Sequence, residues 1–410
     1  MTTSPFPRSP SQHIAIAALL VGGATMQTGC LGDLSIGTAS PMHATETSTA
    51  TSTLSGNSAA NTHIVVKSPA SLTSTQTDLS VDPVCEHISL EANVLNPCGR
   101  ITGLAYSPDG AYLASSSYDV SADSTVWRMS DGQRVARFAA EDWAGSLAIA
   151  FSNNGRYLAA AAITTPGDPG TLRLWDISTG SLVYSLHVSV GSYASALAWS
   201  PDSALLVVGG ESAAVEVWNL AKGQLVSRLA TGGSNHNVHF SPDGTRLLAA
   251  GVDGQARIWN TSDWSALGFT LSIADEMADA SYAPNASLIA STGWGDDGIA
   301  EVRLWDSATG TLLQTLSTRA TPLAHTLWTR QGTLVTNDWG GVVNEWTLQS
   351  DGWLELSASW STAGGATGTM PKEGELGRSV ALAASPAGGN LVAGGMDPST
   401  GSYGFMFLTR

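Results

Sequence analysis

From residue 99 onward, apolar and polar positions alternate in short runs, and the runs recur in a fixed phrase. An alternating run ends in a Ser-Pro-Asp-Gly-like turn. A second apolar run follows, then a loop, then a run ending in Trp; another Gly-containing turn leads into a fourth run. Alternation with a period of two marks a strand with one buried face, as in Leu172-Arg173-Leu174-Trp175 and Val302-Arg303-Leu304-Trp305. The first turn stands at Ser107-Pro108-Asp109-Gly110, Ser152-Asn153-Asn154-Gly155, Ser200-Pro201-Asp202-Ser203 and Ser241-Pro242-Asp243-Gly244. Degenerate copies are Ala283-Pro284-Asn285-Ala286, Thr329-Arg330-Gln331-Gly332 and Ser385-Pro386-Ala387-Gly388. Pro presets φ at the second position, Asp or Asn suits the third, and Gly accepts positive φ at the fourth, which closes a hairpin. The Trp position recurs at Trp127, Trp175, Trp218, Trp259, Trp305 and Trp346, with Phe407 as the seventh copy.

Four strands repeated at a spacing of roughly forty to fifty residues are the pattern of propeller blades. Seven first turns and seven third strands predict an all-β fold: a seven-bladed β-propeller of four-stranded antiparallel blades over residues 85–410. An open array of sandwiched sheets would leave exposed edges. The repeat resembles the WD repeat, with literal Trp-Asp pairs at Trp175-Asp176 and Trp305-Asp306 and near misses at Trp218-Asn219 and Trp259-Asn260. The chain departs from that family in lacking the Gly-His dipeptide before every first strand, so the family's buried His-to-Asp network is not expected. The resemblance implies a ring closed by an N-terminal strand. Residues 86–95 are the candidate, with Ile88, Leu90 and Leu95 as apolar positions; Ile64 to Lys67 is the alternative.

The N-terminus reads differently. Arg8 precedes an apolar run from Ile14 to Ala24, the layout of a secretory signal. Gln27-Thr28-Gly29-Cys30 resembles the bacterial lipobox, which implies lipidation at Cys30 and a signal segment over residues 1–30; ordinary cleavage between Ala24 and Cys30 is the alternative. Residues 31–84 are rich in Ser, Thr and Ala, too poor in apolar material to offset chain entropy, and read as a tether. Export would permit a Cys85–Cys98 disulfide, against the alternative of two free buried thiols.

Charge narrows the partners. Lys and Arg number 18 against 34 Asp and Glu, a formal net charge of -16. Nucleic-acid phosphates reward clustered cations, so no nucleic-acid partner is expected. No apolar run reaches the roughly 20 residues of a membrane span, so membrane contact is expected only through the N-terminal lipid. The chain is read as monomeric.

Loops joining second to third strands share a face with the connections between repeats. In the WD family that face usually binds. Here it carries Tyr118, Asp119, Asp142, Trp143, Tyr193, Trp294, Asp296, Asp297, Asp338 and Trp339, with Glu211, His236 and Glu276 alongside. Aromatics flanked by carboxylates suit a protein interface and would steer a basic partner. The competing reading is plain turn chemistry and blade-tip packing. The stretch from Trp294 to Gly298 has too few carboxylates for calcium, and the Gly-rich insert from Ser359 to Arg378 lacks the Lys-Ser or Lys-Thr of a phosphate loop. There is no His-Glu-x-x-His, Cys-x-x-Cys or Gly-x-Ser-x-Gly motif. His236 and His239, three apart in a strand, are expected on opposite faces, which argues against joint ligation. The expectation is therefore no catalytic residue, no metal and no cofactor. The chain reads as a non-catalytic protein-interaction scaffold displayed outside the cytoplasm; the alternatives are a small-ligand or glycan binder and a propeller-type hydrolase or lyase.

Overall fold

The computed structural model describes residues 86–92, 95–96, 98–99, 101–117, 124–138, 145–163, 169–273, 276–295, 299–318, 323–338, 341–361, 381–396 and 403–408. Seven four-stranded antiparallel sheets form seven blades. Blade one runs outward from Ile101–Tyr106 through Tyr112–Ser117 and Ser124–Arg128 to Arg134–Phe138. Blades two to six repeat this order, with inner strands Gly145–Phe151, Ala194–Trp199, Asn235–Phe240, Met277–Tyr282 and Leu323–Trp328. Each inner strand neighbours the next, and the innermost strand of blade seven, Leu382–Ala384, neighbours that of blade one, which closes the ring.

The hairpin turns show why Ser and Asp recur. In blade one, the Ser107 hydroxyl donates to Asp109 at 2.6 Å, and the amides of Ala111 and Tyr112 donate to Asp109 and Ser107 at 3.0 and 2.9 Å. The same knot ties Ser200 to Asp202 and Ser241 to Asp243. These Ser hydroxyls, then the following amides, hold the carboxyls of Asp109, Asp202 and Asp243 below their usual range. Where the motif lacks its Gly, the strain is visible: Ser203 and Ala286 take φ of 61° and 60°.

Burial is greatest between blades. Trp127, Trp175, Trp218, Trp259, Trp305 and Trp346 are all buried; in blade seven the register places buried Leu408, opposite Leu391, at the equivalent position, and Phe407, expected there, stands one residue earlier opposite Val392. Phe138, on the outer strand of blade one, stacks on Trp175 of blade two with ring centroids 4.8 Å apart. Three of these indole nitrogens bond within their own blade. Trp305 donates to Ser291 at 2.8 Å and Trp346 to Thr336 at 3.0 Å, both on the neighbouring strand. Blade three has Val208 at the equivalent place, which cannot accept, and there Trp218 donates to buried Glu216 at 3.2 Å. Glu216 also accepts from the Ser189 amide at 3.1 Å. Burial pushes its carboxyl up in pKa, partly offset by these hydrogen bonds.

Ring closure differs in detail from the sequence expectation. Leu95–Asn96 takes the outer position of blade seven, paired antiparallel with Met406 and Phe405, and Ala92 adds a single parallel bridge to Phe407. The start of the expected strand, Glu86 to Ile88, turns the other way, onto blade one. The Ile88 amide donates to the Gly132 carbonyl, the Arg134 amide donates to the Glu86 carbonyl, both at 2.9 Å, and the side chains of Arg134 and Glu86 pair at 3.1 Å. Gly132 permits this approach, because a Cβ there would stand 2.2 Å from the Ile88 carbonyl oxygen. Ile88 is fully buried among Trp127, Phe405 and Phe407, whereas Leu90, expected as an apolar anchor, is 37% exposed. The segment therefore bridges the first and last blades instead of forming one long strand. Ile64 to Lys67 lie outside the described residues.

Candidate functional site

Three of the ten binding-face residues are described. Tyr193 is half-buried, and its carbonyl accepts the Glu211 amide at 3.3 Å. Trp294 ends the strand Leu288–Trp294, half-buried, its amide donating to the Glu276 carbonyl at 3.0 Å. Asp338 is 1% exposed and accepts the Val342 amide at 2.7 Å, which gives it a turn-forming role. Tyr118, Asp119, Asp142, Trp143, Asp296, Asp297 and Trp339 lie outside the described residues, as do Cys30 and Cys85. Cys98 is disulfide-bonded.

The described carboxylates on this side of the ring are largely engaged. Glu211 accepts the Ser192 amide at 3.1 Å, Asp253 pairs with Arg257 at 2.8 Å, and Glu301 with Arg303 at 2.7 Å. Their charge is partly compensated, so a basic partner would meet a weaker field here than the raw acidity suggests.

The densest polar cluster joins blades four, five and six. His236 and His239 were expected on opposite faces; instead both reach blade five. A β-bulge between Asn235 and Asn237 inserts one residue into the alternation, and three positions then return to the same side. His236 Nε2 lies 2.7 Å from Glu276 Oε1 and His239 Nε2 lies 3.2 Å from Asp279 Oδ1. From the far side, His325 Nδ1 stands 3.7 Å from Asp279 Oδ2. Asp279 is wholly buried and accepts the amides of Ala280 and Thr326 at 2.7 and 2.9 Å. Burial alone would raise its pKa, but the flanking imidazoles of His239 and His325 outweigh burial and hold the carboxyl well below the usual range. Chemically the arrangement orients two imidazoles and ties three blades. Among the described residues, no group of three or more His, Cys, Asp and Glu side chains is disposed to hold a metal ion.

The sequence reading missed Asp279 and His325 altogether. It also missed an aromatic that ends six of the seven inner strands, at Tyr106, Phe151, Trp199, Phe240, Tyr282 and Trp328. That second signal was available, since each residue immediately precedes the first turn. Trp199, for one, packs beside Tyr157 at 6.4 Å and donates to the Ala150 carbonyl of the preceding blade.

The fold defines a seven-bladed propeller with an N-terminal closing segment, and comparison with known proteins agrees with the repeat type. Residues 90–127, 133–176, 180–219 and 226–260 match the WD domain, G-beta repeat. An uncharacterized WD repeat-containing protein of Synechocystis is 27% identical over 195 residues, covering 47% of this chain and 51% of that protein. The COMPASS component SWD3 of Saccharomyces cerevisiae is 26% identical over 35% of this chain and 45% of its own length. The target of rapamycin complex subunit LST8 of Bos taurus is 26% identical over 27% of this chain and 33% of its own. The chain thus spans about half, or less, of the length of the curated relatives it matches.

Proposed function

We propose that the chain is a non-catalytic protein-interaction scaffold, displayed outside the cytoplasm and held by a lipid on Cys30. The domain plan is a signal segment at 1–30, a tether at 31–84 and the propeller at 85–410, with Cys85 and Cys98 as the disulfide pair. The observation that carries the scaffold reading is the closed ring itself: seven four-stranded blades whose inner strands neighbour one another in turn, a frame on which connecting loops are held. Relatives support it, being named as a COMPASS component, a target of rapamycin complex subunit and a small ribosomal subunit protein, all parts of larger assemblies. The export reading is supported by Arg8, the apolar run from Ile14 to Ala24 and Cys30. A second reading, a small-ligand binder, is favoured by one feature: the carboxylate-backed His239 and His325, each about one-third exposed on inner strands.

The test is capture of a protein partner from cell-envelope extract by the immobilised full-length chain. Reversal of Asp296 and Asp297 to Lys should reduce capture several-fold, because rim charges steer association. Undiminished capture would remove the loop face from consideration.

A further inference from the structure

We propose that closure of the ring is redox-gated: the Cys98 disulfide latches the N-terminal segment across blades one and seven, and a dithiol reductant releases its hold on blade seven. The proposal rests on the Cys85–Cys98 pairing above, and it goes beyond that pairing in making the bond a control on closure.

The segment is fastened unequally at its two ends. On blade one, Ile88 is fully buried and three backbone contacts line up: the Ile88 amide with Gly132, the Arg134 amide with Glu86, and a bridge from His87 to Gln133. On blade seven, pairing among the described residues is confined to Leu95, Asn96 and the single bridge of Ala92. The outer strands of blades two, three, five and six are seven or eight residues long. Blade four has an outer strand of two residues, Leu271–Ser272, but it follows its partner Gln255–Asn260 closely in sequence. Leu95 and Met406 come from opposite ends of the propeller, so no short connection keeps them together. A two-residue strand so placed needs another constraint.

Cys98 supplies one. It is disulfide-bonded, follows Asn96 by two residues, and packs half-buried against the core that holds Ile88, Trp127 and Phe405. Ahead of it the segment doubles back on itself. The Ser89 amide donates to Asn96 Oδ1 at 2.7 Å, and Asn96 Nδ2 donates to the Ser89 carbonyl at 3.1 Å. Cys85 adjoins Glu86, so a bond from it to Cys98 ties the well-held blade-one end to the weak blade-seven end. For a loop of this size the constraint shifts opening about a hundredfold. Release is thiol–disulfide exchange. One thiolate of the dithiol attacks a sulfur of the bond and forms a mixed disulfide, and its second thiolate displaces the remaining cysteine. The chain ends with two thiols and the reductant with a disulfide, two electrons and two protons having passed to the chain. Closure is then complete only where disulfides persist.

Hydrogen exchange of the full-length chain, with and without dithiothreitol in native buffer, tests this. Iodoacetamide labelling of parallel samples reports reduction of Cys98. Reduction should speed exchange about a hundredfold in peptides holding Leu95–Asn96 and Tyr403–Leu408. It should change little in Arg134–Phe138 or in the blade-four strands Asn235–Phe240 and Arg246–Gly251. Cys98→Ser and Cys85→Ser should each match the reduced chain and show no response to reductant, and Cys30→Ala should match the wild type. Unchanged exchange in a chain whose Cys98 is labelled overturns the proposal, as does acceleration spread evenly over all blades. A bond that resists dithiothreitol in the native chain overturns it too. Peptide mapping of the unreduced chain reads the pairing separately. A Cys30–Cys98 bond sinks the pairing and the gate with it, whereas a mapped Cys85–Cys98 bond with unchanged exchange sinks the gate alone.

Discussion

A chain beginning at residue 99 is expected to lose its cooperative melt and aggregate, whereas one beginning at residue 84 is expected to melt as the full chain does. The longer chain keeps the bridge between blades one and seven. It retains Ile88, which is fully buried against Trp127 and Phe405, and Leu95–Asn96, which completes blade seven. Loss of Ile88 alone removes a buried aliphatic side chain, about 2 to 5 kcal/mol on the scale of large-to-small core substitutions. Loss of Leu95–Asn96 also strips Tyr403–Leu408 of its outer partner, leaving a free strand edge open to other chains. Circular dichroism melts with light scattering at the same temperatures measure both effects. A shorter chain that stays monomeric with the wild-type melting temperature would show that the segment is dispensable.

The second large effect is expected at Asp279. Its carboxylate accepts two buried amides and faces two imidazoles from flanking blades. Asp279→Ala leaves the Ala280 and Thr326 amides without that acceptor and is expected to cost about 3 kcal/mol. Asp279→Asn keeps one acceptor and should cost less. The pH dependence follows from the depressed carboxyl. A group whose folded pKa lies below its unfolded value stabilises the fold above the unfolded value, about 3.9 for Asp, and loses that contribution as pH falls toward the folded one. The gap in melting temperature between wild type and Asp279→Asn should therefore be full at pH 7 and 5 and narrow below about pH 4. A gap that does not change with pH would show that Asp279 acts through shape alone.

Much of this architecture could be read from the chain because blade strands carry a local code. Ser-Pro-Asp-Gly sets a hairpin through hydrogen bonds among neighbours in sequence, and alternation before each Trp declares a buried face. The seventh copy was misplaced by one residue: Phe407 carries the aromatic ring, but Leu408 holds the Trp position opposite Leu391. What escaped depends on long-range geometry. The bulge at Asn235–Asn237 changes which side His236 takes, and nothing in the string His-Asn-Val-His announces an extra residue in the alternation. Asp279 and His325 stand far apart in sequence and meet only once blades five and six are stacked. The closing segment was located correctly but read as one strand, because Ile88, Leu90 and Leu95 suggested a single apolar face. The Gly132 turn on blade one draws Ile88 away, and that attraction is a property of the assembled ring.

The closed ring is tested most directly by a disulfide across its seam. Leu95 and Met406 are antiparallel partners in the structure, a separation that a disulfide can span. The double variant Leu95→Cys with Met406→Cys should form an intramolecular bond under mild oxidation, identified by peptide mapping alongside Cys98. The control Leu90→Cys with Met406→Cys should not form one. A folded monomer in which the 95–406 bond fails to form, or in which both pairs form equally, would contradict closure by this segment.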